Sequence, residues 1–223
     1  SLCIDFLITF LRVGGLSPFR DSRILDPTFY VTIYFNMKRN RSKTYSNERP
    51  TYFITTTVTE HTKIFFNDDL CKILLNNLEF YRNKLKFFIY GYVIMPNHIH
   101  LLLQQTGEKN ISDFMRDFKK YTSVEIIRFC QKNDLQELLK VFQDSARKYM
   151  AKRDLLYQVW QERFDDVLIW SEKQFNVKLD YIHNNPVQEH WKLVDEPQKY
   201  KYSSARNYES GDDLPFRIDR LGY

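Results

Sequence analysis

Two strand-like apolar runs, KFFIYGYVIMP (86–96) and HIHLLLQQ (98–105), are separated by Asn97 alone after the closing proline. So short a link predicts a tight antiparallel hairpin. It also fixes sidedness. Residues two apart on a strand project to one face, so His98 and His100 stand side by side, roughly 6.5–7 Å apart at the backbone, and Ile99 faces the other way. Two imidazoles so placed can close on one cation at about 2.0–2.2 Å. A pair of histidines that merely hydrogen-bond at a sheet surface would look the same in sequence.

The flanking segments supply the rest of a sheet. TYFITTTVT (51–59) is rich in β-branched and aromatic residues and reads as a strand. NDDLCKILLNNLEFYRNKL (67–85) reads as a helix capped by Asn67 or Asp68, with Leu70, Ile73, Leu74, Leu78 and Tyr81 on one face. NISDFMRDFKKYTSVEIIRFCQK (110–132) reads as a second amphipathic helix with Ser112 as its cap. A charged segment to about residue 155 is helical or irregular, and VWQERFDDVLIW (159–170) contains a fourth strand. SEKQFNVKLDYIHNN (171–185) is a third helix, broken at Asn185-Pro186, and the Tyr-rich remainder reads as irregular. The order β-α-β-β-α-β-α predicts an α+β, ferredoxin-like split β-α-β fold. Its four-stranded antiparallel sheet carries helices on one face, with an extra C-terminal helix.

Residues 1–47 fit this pattern poorly and read as an extension, irregular or foreign to the domain. FYVTIYF (29–35) alternates at period two and is the alternative, an ordinary N-terminal strand. Met37 is a candidate natural start, ahead of a basic arm with Lys38, Arg39, Arg41 and Lys43. The compact domain is expected over 48–210, followed by a tail at 211–223. Three widely spaced cysteines, Cys3, Cys71 and Cys130, argue against a disulfide framework and for a reducing compartment, the cytoplasm. No apolar run reaches the roughly 18–20 residues of a membrane helix. A net charge of +5 permits a nucleic-acid partner without requiring one.

A further ligand for the histidine pair is sought in KLDYIHNNP (178–186). Tyr181 and Asn185 are four apart and share a helical face. Asn185 offers a hard carbonyl oxygen suited to Mg2+ or Mn2+. Tyr181 would stand beside the same ion, an arrangement for attack on a metal-polarised phosphodiester. The spacing equally suits an asparagine cap with a first-turn proline and a tyrosine that only packs.

YVIMPNHIHLLL, then VWQERF, then DYIHNNPV, closing with YKYSSARNY (200–208), resembles the single-tyrosine HUH transposases, and within them the REP-associated branch of the IS200-like group. The resemblance covers roughly residues 50–208. It implies a Y1 transposase-like catalytic domain with His98 and His100 as the HUH pair, Tyr181 as nucleophile and Asn185 as the third metal contact. It implies cleavage and rejoining of single-stranded or hairpin DNA through a 5′-phosphotyrosine, with Mg2+ or Mn2+, by a monomer or homodimer. The segment 133–157 is longer than the pattern, and residues 1–36 have no place in it. Tyr121 in FKKYTS is the rival nucleophile, with only Glu125 four residues on; His183 lies off the Tyr181 face and is assigned to packing.

Phosphate contacts are sought in Arg116, Lys119 and Lys120 of the second helix, in Arg163 and Gln161 of the WQERF block, and in Arg39 and Arg41 of the basic arm. Trp160 or Tyr202 could stack an unpaired base. Two other functions compete. A nucleotide hydrolase with alternating histidines would want a third at position 102, where Leu102 stands. A non-catalytic, domesticated DNA-binding protein would share the fold, but the intact set of His98, His100, Tyr181 and Asn185 argues against decay.

Overall fold

The hairpin forms around a two-residue turn at Pro96 and Asn97, with Met95 paired to His98. A computed structural model of the chain describes residues 49–149, 156–211 and 215–220. Strands β1 (Thr51–Thr57), β2 (Phe87–Met95), β3 (His98–Gln105) and β4 (Asp165–Ile169) make one antiparallel sheet in the order β2-β3-β1-β4. Helix α1 (Asp68–Leu85) links β1 to β2. Helices α2 (Ile111–Lys132) and α3 (Gln136–Tyr149) link β3 to β4, and α4 (Glu172–Asn184) follows β4. This is the predicted split β-α-β order.

β3 is buried on both faces. Ile99, Leu101 and Leu103 join a core with Leu74 and Leu78 of α1 and Phe114 and Phe118 of α2. Leu102, of the opposite parity, joins Phe53, Tyr90, Val93 and Met95 beneath Phe175, Leu179 and Ile182 of α4. The first helices therefore cover one side of the sheet and α4 the other. His98 and His100 share the parity of Leu102 and face α4.

The approach of α4 depends on Gly91. β2 slips against β3 between Ile89 and Gly91, a bulge at which the strand changes which residues face which core. A Cβ on Gly91 would lie 2.7 Å from Leu179 Cδ1 and 3.6 Å from Ile182 Cδ1. The absent side chain leaves the space that α4 fills.

Two expectations are corrected, the cap of α2 and the irregular remainder, and the segment read as helical or irregular is a helix. The cap of α2 is Asn110, whose side chain accepts from the Asp113 amide at 3.0 Å. Ser112 already lies inside the first turn and cannot serve. Residues 136–149 form a regular helix, because Leu139, Phe142 and Ala146 repeat at helical spacing and are buried. The chain after residue 185 is not merely irregular. Ser203 bridges Val93, the Ile94 amide donates to Tyr202 and the Ser204 amide to Tyr92. Asp219 also exchanges hydrogen bonds with Ile89. These segments satisfy the outer edge of β2, which would otherwise present unpaired backbone groups. A further helix, α5 (Ala205–Ser210), sits among them. Phe216 and Ile218 are buried in the α1/α2-side core, so packing continues past residue 210. Such short pieces carry no period to read. The N-terminal extension and its basic arm, including Lys38, Arg39, Arg41 and Lys43, lie outside the described residues.

Gly91→Val should lower unfolding free energy by about 1–3 kcal/mol through overpacking against α4. Adding Leu179→Ala should recover part of the loss, measured by urea denaturation of both variants.

Candidate active site

Pairing register sets the inner wall of the site. Thr55 of β1 is partnered with His100, and its Oγ1 lies 2.8 Å from His100 Nδ1. In the hairpin turn, Asn97 Oδ1 lies 2.6 Å from His98 Nδ1, while Asn97 Nδ2 donates to the His61 carbonyl at 3.2 Å. Each imidazole is thus held at Nδ1, and the two Nε2 atoms face each other at 3.1 Å. Two nitrogens bound at about 2.1 Å to one ion at a right angle stand about 3.0 Å apart. The pair is spaced as neighbouring ligands of an octahedral cation. Threonine can accept from or donate to His100, so the ring can turn its Nε2 lone pair inward.

Burial holds both rings neutral, the form that ligates a metal. His98 is pushed down to about 4 by loss of solvent, with smaller contributions from His61 and His190. His100 is held well below the usual range by burial, then by His98 and Lys178.

Helix α4 supplies the outer wall. Ser171 caps it, accepting from the Gln174 amide at 3.2 Å. With Phe175, Leu179 and Ile182 seated on the sheet, Tyr181 projects from the adjoining strip over the histidines. Its ring lies 5.2 Å from that of His100, inclined at 71°, and 5.8 Å from Phe53. Phe53 in turn stacks on His100 at 5.2 Å. Burial raises the Tyr181 pKa, and a side-chain hydrogen bond with Asn185 pulls it partly back. Asn185 is 3% exposed and its Oδ1 has no partner among the described residues. A buried acceptor left unpaired costs about 1–3 kcal/mol, a cost that coordination to a cation would relieve. Among the described residues no three His, Cys, Asp or Glu side chains converge, so a third ligand drawn from them would be of another type, as the Asn185 amide is. These three residues fit a hard divalent ion.

Tyr121 is on α2, across the sheet from the histidines, half-exposed beside Tyr81 and under Lys120. Leu102 is fully buried beneath α4. His183 hydrogen-bonds Ser204 at 3.0 Å and packs on Tyr208, as its sequence position implied.

The expected DNA contacts are scattered. Trp160 is no stacking platform: it is 3% exposed, packs against Phe65 and Phe118, and donates Nε1–H to Thr122 at 3.0 Å. Its backbone bridges Val58 and turns the indole into the core. Tyr202 is likewise buried. Lys119 reaches the carbonyls of Gln161 and Glu162 at 2.6 and 3.1 Å, anchoring the loop before β4. Arg116 pairs with Asp113 and Asp117. Arg116, Lys119, Lys120 and Gln161 line a groove of about 840 Å³ beside α2, away from the α4 face. Arg163 is exposed in the adjoining loop. Gln161 also approaches His61 at 3.4 Å.

Sequence reading missed Lys178. Its ammonium lies 4.7 Å from the Phe53 ring and 5.8 Å from the Tyr181 ring, with its pKa lowered by burial. The signal was the i, i+3 spacing of Lys178 and Tyr181 on one helix.

His183, also held at about 4 by burial, joins His98 and His100 in resisting protonation. The unfolded chain takes up these protons below about pH 6.5, whereas folded His98 and His183 do not until nearer pH 4 and burial holds His100 well below its usual range. Stability should therefore fall as pH drops through that window. His183→Gln, compared with the parent by urea unfolding at neutral and mildly acid pH, should lose less.

A family model described as "Transposase IS200 like" matches residues 49–185. An uncharacterized protein of Haemophilus influenzae is 25% identical over 100 residues, 43% of this chain and 52% of that protein. A second protein of that organism, named "Putative REP-associated tyrosine transposase", is 26% identical over 157 residues, 69% of this chain and 78% of its own length. The solved structure of a REP-associated tyrosine transposase bound to a REP hairpin superposes with a TM-score of 0.54 at 18% identity. It covers 84% of this chain and 100% of the solved one, and shows a shared fold.

Proposed function

Since the chain belongs to the IS200-like transposase family, we propose that it is a transposase of the REP-associated kind, like its relative, and that it cuts and rejoins single-stranded DNA at a hairpin or repeat. Tyr181 is the nucleophile, and His98, His100 and Asn185 hold Mg2+ or Mn2+. The observation that carries this reading is the phenol ring lying 5.2 Å from the His100 ring within one chain. The unpartnered Asn185 oxygen supports it.

The bound divalent ion would supply Lewis acidity, drawing charge from the phosphoryl oxygens. Tyr181 Oη attacks phosphorus; the new O–P bond forms as the bond from phosphorus to the 3′ oxygen breaks. The phenolic proton passes to solvent, and the departing oxygen takes one up. A 5′-phosphotyrosine and a free 3′-hydroxyl result. Joining is the reverse attack by a 3′-hydroxyl, so the phosphodiester linkage is conserved without a nucleoside triphosphate. Lys178 offsets charge on the phosphoryl group as it changes hands. A cationic side chain beside a divalent-ion site is repulsive when no anion is present. A bound phosphodiester would offset that repulsion with its own negative charge. Exposed Arg163, Lys120 and Arg116 contribute phosphate contacts farther along the strand.

Incubation with labelled hairpin DNA bearing single-stranded flanks and Mn2+ should give an SDS-resistant adduct. Tyr181→Phe should abolish it, and Tyr121→Phe should leave it. His98→Ala should cut adduct yield by orders of magnitude while hairpin retention in a gel persists. Adduct from Tyr181→Phe, or retention without adduct in the parent protein, would overturn the assignment; the latter outcome is that of a DNA-binding protein without chemistry. Lys178→Gln should slow single-turnover cleavage roughly 10²–10³-fold, the scale of one lost charge-stabilising donor.

A further inference from the structure

The histidine pair has two flanks, and the proposed chemistry uses one. Tyr181 and Phe53 pack on His100. On the other side, His98 meets Trp191, ring centroids 5.8 Å apart. Trp191 is partly exposed. It is also firmly set: its amide donates to Gln188 at 2.9 Å, Lys192 donates to the same carbonyl, and Leu193 donates to Pro186. This turn begins directly after the Asn185–Val187 helical turn, so the proposed ligand Asn185 and the indole are set by one short piece of chain. Above the indole lies the Lys63 ammonium, 5.5 Å from the ring centroid, on an exposed side chain. An aromatic face topped by a movable cation is the combination that holds an unpaired nucleotide, base on ring and phosphate on ammonium.

We propose that Trp191 stacks the base of the nucleotide whose 3′ oxygen leaves, with Lys63 on its 5′ phosphate. The inference rests on Tyr181 being the nucleophile. In-line displacement sets the departing oxygen opposite the attacking one. With Tyr181 on the His100 flank, the departing nucleotide lies toward the His98 flank, where Trp191 is. Stacking there keeps the cut 3′ end beside the phosphotyrosine, available for rejoining.

Two measurements test it. First, the scissile position of a strand that forms the Tyr181 adduct is mapped, and abasic nucleotides are placed on its two sides. An abasic site immediately 5′ of the scissile phosphate should slow cleavage by the parent protein about 5- to 100-fold, the scale of one lost base–aromatic stack. It should cost Trp191→Ala little beyond what that variant has already lost, and Trp191→Phe should recover part of the parent rate. An equal abasic penalty in parent and Trp191→Ala overturns the proposal while leaving the nucleophile intact. Second, binding is read without cleavage in a Tyr181→Phe background with Mg2+. A short oligothymidylate carrying one 2-aminopurine should be quenched on binding, and Trp191→Ala should remove the quench, with folding checked by circular dichroism. Equal quenching in a folded Trp191→Ala protein overturns the stack even if no adduct forms in the first experiment.

Discussion

The two-residue alternation of β3 is the constraint on which the rest depends. Ile99, Leu101 and Leu103 are committed to the core under α1 and α2, so His98 and His100 are committed to the other face. A slip of one residue would exchange the two faces and carry the imidazoles into the apolar core under α1 and α2. The histidines are thus held in place by apolar packing that they do not share. Thr55 and Asn97 then fix the rings, one from the neighbouring strand and one from the hairpin turn.

The second face gains its chemistry from a helix seated against it at a glycine. Gly91, at the bulge in β2, leaves room for Leu179 and Ile182. Their seating brings Tyr181 to His100 and ends α4 at a buried asparagine. The assembly is a set of neutral nitrogen and oxygen donors, one phenol and one lysine, with no described carboxylate joining the donors. Such a set is suited to a metal ion that arrives with a phosphate, since the phosphate brings the negative charge that the protein ligands lack.

Much of this was legible in the chain. The hairpin followed from Pro96-Asn97, the sidedness of the histidines from strand parity, and the Tyr181–Asn185 face from helical spacing. Across-sheet neighbours were not legible. Trp160 and Trp191 are both tryptophans near matched motifs, and only tertiary packing sends the first into the core and the second to the rim of the site. The edge cover formed by residues 202–204 and Asp219 was also hidden, because isolated bridges have no period. Lys178 was visible at its spacing but had no meaning until α4 was known to lie on the histidine face.

Two imidazoles of one strand and an amide at a helix end are proposed to hold a single divalent ion beside Tyr181. Anomalous diffraction from a crystal of the protein grown with Mn2+ and a single-stranded oligonucleotide reads this directly. One strong peak is expected about 2.0–2.3 Å from His98 Nε2, His100 Nε2 and Asn185 Oδ1. Manganese bound elsewhere, with these three side chains left uncoordinated, would contradict it.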